Sequence, residues 1–234
     1  MSRAYIGTYT KKDSQGIYKV ELSEEGKVSS VEAVAKVDNP TYLAFSNNNK
    51  SLYSVSKIED KGAVSSFKVK EDGSLELLTS VGKEGNPPCY VEVSKDNKYL
   101  LSANYHTGTV DSYSILQNGE LGELLSTDAH EGSSVHPRQE KPHVHFSGFT
   151  PDGEYVFTCD LGTDEVVTYE ISDYGRLNRL ETYHATPGAG PRHIVFHPHY
   201  KIAYLICELN STIEVLIYDG DGQFERLQTI STLP

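Results

Sequence analysis

The stretch KPHVHFSGFTPDG, Lys141 to Gly153, carries His143 and His145 two residues apart in what reads as extended chain. Further on, GPRHIVF supplies Arg192 and His193, and CELN supplies Glu208. An imidazole, a guanidinium and a carboxylate can together move a proton and hold an anion. Converging in one pocket, they would suit a small, oxygen-rich ligand. A His-x-His pair could instead be half of a metal site, which would need a third ligand at matched distance. Cys159 and Cys207 are poor candidates because they align with the apolar core positions Val55 and Ala103. His145 with Asp160 or Glu208 remains possible, but a His-x-His pair alone is weak evidence for a metal, and neither a metal nor any other cofactor is expected.

The elements that must position these residues are repeats. NPTYLAFSNNNKSLYSVSK from Asn39, NPPCYVEVSKDNKYLLSAN from Asn86, PHVHFSGFTPDGEYVFTCD from Pro142 and GPRHIVFHPHYKIAYLICE from Gly190 each give an apolar strand, a polar turn and a second apolar strand. Each is followed by a glycine turn, at Gly73, Gly119, Gly175 and Gly222, with Gly26 as an earlier copy, and the successive spacings are 47, 46, 56 and 47 residues. One period is therefore about four short strands with their turns. Alternating stretches such as GAVSSFKVK and GTVDSYSIL predict half-buried antiparallel strands, and nothing shows a helical period. Such a repeat predicts an all-β fold, a β-propeller of four-stranded blades. Trp is absent, so the Trp-Asp dipeptide of WD40 blades is missing. AYIGTYT at Ala4 aligns with the second strand of the later units, which leaves the first unit without its opening strand, and ISTLP at the chain end completes the fifth.

Taking Phe45, Val93, Phe149 and Phe196 as equivalent puts Thr41, Cys89, His145 and Arg192 at one place in successive blades, four residues earlier. With one extra residue allowed in the HPHYKIA turn, Ser56, Asn104, Asp160 and Glu208 share a second place, held by Thr8 in the first unit. Positions that vary while the apolar scaffold repeats are candidates for function, because packing alone would ask the same residue of each blade. The bland readings are specific. Asp160 in DLGTDE could bond to its own turn. His197 and His199 read as surface residues of a turn. His193 should point away from Arg192 on a regular strand. An insertion, STDAHEGSSVHPRQEK from Ser126 to Lys141, accounts for the 56-residue spacing. It is either a lid over the pocket or a surface excursion, and its Arg138, Lys141, His130 and His136 favour a lid that attracts an anion.

The formal charge of −12 weighs against nucleic-acid and membrane partners. The start MSRAYIGTYT has no basic segment followed by an apolar one, and no apolar run approaches the ~18 residues of a membrane span. A cytoplasmic location is expected. Three cysteines without Cys-x-x-Cys spacing indicate neither a disulfide framework nor a zinc site.

RQEKPHVHFSGFTPDGEYVFTCDLGTDEV and GAGPRHIVFHPHYKIAYLICELNSTIEV resemble the two signature stretches of the lactonase family of seven-bladed β-propellers, and YIGTYT followed by GIYKVEL resembles its first blade. That family includes propeller-type 6-phosphogluconolactonases and fungal carboxymuconate-lactonizing enzymes. The resemblance implies a metal-independent site whose His, Arg and Glu fall on His145, Arg192 and Glu208. His143, Asp160, His193 and Arg138 would line it as substrate-binding residues. It also implies one propeller domain over residues 1–234, with about five of seven blades present and the C-terminal part incomplete. The expected partner is a small lactone, most simply 6-phosphogluconolactone. A carboxymuconate-type cycloisomerase and a non-catalytic propeller that binds a protein partner are the alternatives.

Overall fold

The computed structural model describes residues 2–234, and among them every regular element is a β-strand. The chain forms two compact units, residues 1–100 with 114–123, and residues 101–113 with 124–234. In the first unit, β1 (Ser2–Gly7), β2 (Gly16–Leu22) and β3 (Val28–Lys36) make a three-stranded sheet. Next come β4 (Leu43–Phe45), β5 (Ser51–Ile58), β6 (Lys61–Val69) and β7 (Leu75–Lys83), a four-stranded sheet in chain order. The strands β8 (Tyr90–Val93), β9 (Tyr99–Asn104), β10 (Thr109–Ile115) and β11 (Leu121–Ala129) form another, with residues in both units.

The second unit holds two complete sheets, again in chain order. One is β12 (Val144–Phe149), β13 (Tyr155–Asp160), β14 (Glu165–Ile171) and β15 (Leu177–His184). The other is β16 (Pro191–Phe196), β17 (Ile202–Cys207), β18 (Thr212–Tyr218) and β19 (Phe224–Ser231).

The middle strands are not half-buried as the alternation in GAVSSFKVK and GTVDSYSIL predicts: their serines are buried along with their apolar residues, because both faces of the strand are covered. β5, β6, β13 and β14 are mostly buried, whereas β15 and β19 are largely exposed and β7 is half-buried. Ile17, Leu52 and Phe67 form a core in the first unit, and Leu101, Val110, Val156, Val167, Tyr169 and Leu177 form one in the second. Each such side chain contributes about 1.5–3 kcal/mol through burial. The recurring glycine closes the last hairpin of each sheet in the left-handed region, with φ of 79° at Gly73 and 92° at Gly222. A bulge recurs in the same hairpins, at Ser66/Phe67, Thr168/Tyr169 and Val215/Leu216.

The hydrogen-bond register corrects one alignment drawn from the sequence. Phe149 pairs with Val156 and Phe196 with Ala203, so the TPDG and HPHY turns are equally long and HPHYKIA contains no extra residue. Asp160 faces Glu165 as Cys207 faces Thr212, which makes Cys207 the counterpart of Asp160. Glu208 lies one place further on, matching Leu161 and, by the same spacing, Tyr105. Matching one acid to another had concealed this. Cys159 and Cys207 are both buried free thiols.

Candidate functional site

The first strands of the second unit's two sheets share an irregularity. Val144 faces Asp160 and Phe146 faces Cys159, leaving His145 as the extra residue of a β-bulge. Pro191 faces Cys207 and His193 faces Ile206, leaving Arg192 in the same position. A bulged residue escapes strict up-and-down alternation and can be aimed independently of the ladder. The sequence register had matched these two residues, and the structure shows what they share. Because the strand is irregular here, His193 does not follow the simple alternation expected of it. Its ring lies 5.1 Å from that of His145 and 4.9 Å from Phe146.

Glu208 follows β17 directly and is held from two sides. Its Oε2 is 2.8 Å from Arg192 Nε, and its Oε1 is 2.8 Å from a terminal nitrogen of Arg138. The Glu208 backbone N–H donates to the carbonyl of Gly190 at 2.8 Å. Partial burial pushes the Glu208 carboxyl up, but hydrogen bonding and charge from Arg138, with the charge of Arg192, outweigh this and hold it below the usual carboxylate range. Burial, reinforced by Arg192, lowers His145 to about 4 and His193 to about 4. Both imidazoles are therefore neutral at pH 7. The cluster of two guanidiniums, one carboxylate and two neutral imidazoles carries one net positive charge, in a chain whose formal charge is −12.

His143 is buried in the adjoining wall, its ring stacked on Tyr105 at 4.2 Å and an interplanar angle of 16°. Its Nδ1 is 2.9 Å from the Tyr105 carbonyl oxygen, which can only accept, so that nitrogen carries the proton. Asp160 is fully buried behind this wall. One oxygen accepts from the backbone N–H groups of His143 and Gly162, and the other is 2.8 Å from His130 Nδ1. Asp160 thus bonds to its own turn and fixes the entry to β12. The structure brings His145, Arg192, Glu208, Arg138 and His193 together, sets His143 beside them through Tyr105, and places Asp160 behind.

The insertion is tied down along its length. His130 is buried between Asp160 and the Tyr169 hydroxyl, and Gln139, fully buried, donates to the carbonyl of Leu161 at 2.8 Å. Lys141 Nζ donates to the His106 carbonyl at 2.7 Å. Of the insertion's basic residues it is Arg138 that engages a site carboxylate, while His136 Nδ1 accepts the Arg138 backbone N–H. His197 caps its own turn by accepting the N–H groups of His199 and Tyr200, in keeping with a turn residue.

Sequence reasoning missed Tyr105. Its ring also meets that of His145 edge-on at 6.1 Å. The corrected register would have found it, since Tyr105 and Glu208 occupy the same place in their sheets. No group of three or more His, Cys, Asp or Glu side chains is placed to hold a metal ion among the described residues.

The profile of the lactonases described as seven-bladed β-propellers matches residues 3–234. The chain belongs to that lactonase family. Its five sheets are accordingly five blades of a seven-bladed fold. It is 42% identical over 233 residues to a 6-phosphogluconolactonase of Bacillus subtilis, covering 98% of this chain and 66% of that protein. A crystal structure of a Lactobacillus plantarum protein superimposes with a TM-score of 0.94 at 38% identity, covering 99% of this chain and 67% of that one. A periplasmic gluconolactonase of Pseudomonas aeruginosa gives 0.91 at 31% identity, over 98% and 68%. The chain thus spans about two thirds of the length of these relatives.

Proposed function

We propose that the protein hydrolyses a sugar lactone, most simply 6-phosphogluconolactone to 6-phosphogluconate, by metal-independent acid/base catalysis in the cytoplasm. The observation that carries this reading is one carboxylate, Glu208, shared by Arg138 and Arg192 beside a neutral His145. Glu208 is ion-paired and its pKa is lowered, which makes it a weak base. His145, which like Glu208 is unprotonated at pH 7, is assigned as the group that accepts the proton.

Water attacks the lactone carbonyl carbon and gives its proton to His145. The carbonyl π electrons move onto oxygen, where Arg192, assisted by Arg138, holds the developing charge. Glu208 raises the proton affinity of His145 and so stabilises the imidazolium. Collapse of the tetrahedral intermediate breaks the ring carbon–oxygen bond, and the leaving alkoxide takes the proton back from His145. The hydroxy acid then ionises and releases one proton to solvent. Acid/base help of about 10²–10⁴-fold suffices for an ester that already opens slowly in water.

Support comes from family membership and from the likeness to proteins named 6-phosphogluconolactonase and gluconolactonase. The test is proton release from 6-phosphogluconolactone and from gluconolactone, followed by pH-stat with the full-length protein and its His145→Ala, Arg192→Ala and Glu208→Ala variants. Catalysis by the parent, loss in all three variants and indifference to a chelator are expected. Spontaneous rates with the parent on both lactones would sink the reading, and loss of activity with the chelator would remove its metal-independent part.

A further inference from the structure

Asp164 lies in the turn between β13 and β14, is 4% exposed, and adopts a left-handed φ of 60°. A non-glycine residue there is uncommon and points to a local constraint. The same place in β9–β10 is taken by Gly108, with a φ of 65°. What the aspartate provides is four hydrogen bonds to two different loops. Its Oδ1 accepts from Gln139 Nε2 at 2.7 Å and from the Gly190 N–H at 2.7 Å. Its Oδ2 accepts from the Ser134 hydroxyl at 2.5 Å and from the Gly188 N–H at 2.6 Å.

These donors flank the charged cluster. Gln139 is the chain neighbour of Arg138, and Gly190 lies two residues before Arg192. Gly190 also accepts the Glu208 N–H through its carbonyl, and the Ala189 carbonyl accepts that of Leu209 at 3.0 Å. The segments bearing Arg138 and Arg192 therefore meet at one buried carboxylate, and the segment bearing Glu208 joins them through the Ala189 and Gly190 carbonyls. The close fit leaves little room for adjustment, since a Cβ on Gly190 would fall 2.5 Å from Leu209 Cγ.

We infer that Asp164 is a positioning residue, a clasp that sets the Arg138 and Arg192 guanidiniums on Glu208 by joining the insertion to the Gly188–Gly190 turn. The inference rests on the proposed use of those three residues. An error of about 1 Å in such groups can cost about 100-fold in rate, and a lost clasp would cause an error of this kind.

The test is Asp164→Asn in the full-length protein, alone and combined with Arg138→Ala. Asparagine keeps the shape but turns one acceptor oxygen into a donor, so two of the four donors lose their partner. The expected result is a fall in kcat/KM of about 30–100-fold. Combined with Arg138→Ala, the double variant should lose at least about 10-fold less than the product of the single losses, because the two act through one group. Ser134→Ala, which removes a single donor, is the milder variant should the asparagine protein not fold, and a few-fold loss with the same non-additivity is expected. Strictly multiplicative losses, or unchanged kcat/KM in either variant that folds, would overturn the inference. Amide exchange at Gly188 and Gly190 is read without substrate and should accelerate in Asp164→Asn while the β13 and β14 amides stay protected. Accelerated exchange in a protein whose parent hydrolyses neither lactone would defeat the proposed function and leave the clasp standing. Unchanged exchange would remove the clasp whatever the activity.

Discussion

The sheets β4–β7 and β16–β19 have the same strand order and the same bulged last hairpin, yet they differ in what they place along their middle strands. In β4–β7 the polar positions are filled by a ladder of hydroxyls, Ser56 to Ser65 to Ser80, each step 2.8 Å. In β16–β19 the place of Ser65 is taken by Glu214, fully buried, which accepts from the Tyr183 hydroxyl at 2.5 Å and from the Thr186 N–H and hydroxyl at 3.0 and 2.6 Å. The place after Ser56 is Lys57, an exposed-side residue near Asp60, whereas its counterpart is Glu208 between two arginines. The first strand differs as well. β4 begins at Leu43, beyond Thr41, the counterpart of Arg192, whereas β16 carries Arg192 as its bulged residue. The scaffold repeats, and chemistry enters by exchanging residues at a few fixed places.

The largest effect should come from breaking this contrast at its sharpest point. Glu208→Gln removes the charge shared by Arg138 and Arg192 and should lower kcat/KM about 10³-fold. Lys57→Ala at the matching place should stay within about 2-fold in the same pH-stat assay. Equal losses would mean that the register carries no functional distinction. Next, Glu214→Ala leaves several buried donors without an acceptor and should cost about 3 kcal/mol in urea unfolding. Ser65→Ala, its counterpart, should cost about 1 kcal/mol.

The pH dependence sharpens the role of the bulged histidine. If neutral His145 is the base, kcat/KM corrected for spontaneous opening should be level near neutrality and fall as pH drops towards about 4. A break near the ordinary histidine value of about 6.5 would show that the buried, Arg192-facing imidazole is not the group titrating.

The smallest effect concerns His193, whose counterpart one blade earlier is Phe146. Its folded pKa of about 4 lies below the unfolded value of about 6.5. The unfolded chain therefore binds more protons in that window, and the stability of the neutral form is complete above it and lost as pH falls through it. His193→Phe should flatten part of this acid loss, leaving the part due to His145. A thermal-melt series between pH 4 and 7 checks it, and an unaltered slope would count against the assignment.

The blade repeat was legible because glycine turns and alternating apolar residues are imposed by backbone geometry and burial, which every copy must satisfy. His145 and Arg192 were legible for a related reason, since their distance from Phe149 and Phe196 is preserved by the ladder. The bulge itself was invisible, because nothing in PHVHF or PRHIV marks which residue the partner strand skips. The sequence register that matches Glu208 with Asp160 is one residue off, and the same slip hides Tyr105. Asp164 was hidden for another reason. Its four donors come from loops 20 or more residues away in sequence, and no local pattern announces that they meet.

The place one residue beyond Ser56, Asn104, Asp160 and Cys207 holds Lys57, Tyr105, Leu161 and Glu208 in four blades. A cation, a phenol, a fully buried alkyl group and a carboxylate are thus all compatible with the same place, while the residue just before it is buried in all four, as Ser56, Asn104, Asp160 and Cys207. For anyone wishing to redirect such a scaffold, this is an interchangeable socket, where new reactivity can be installed one blade at a time without renegotiating the fold beneath it.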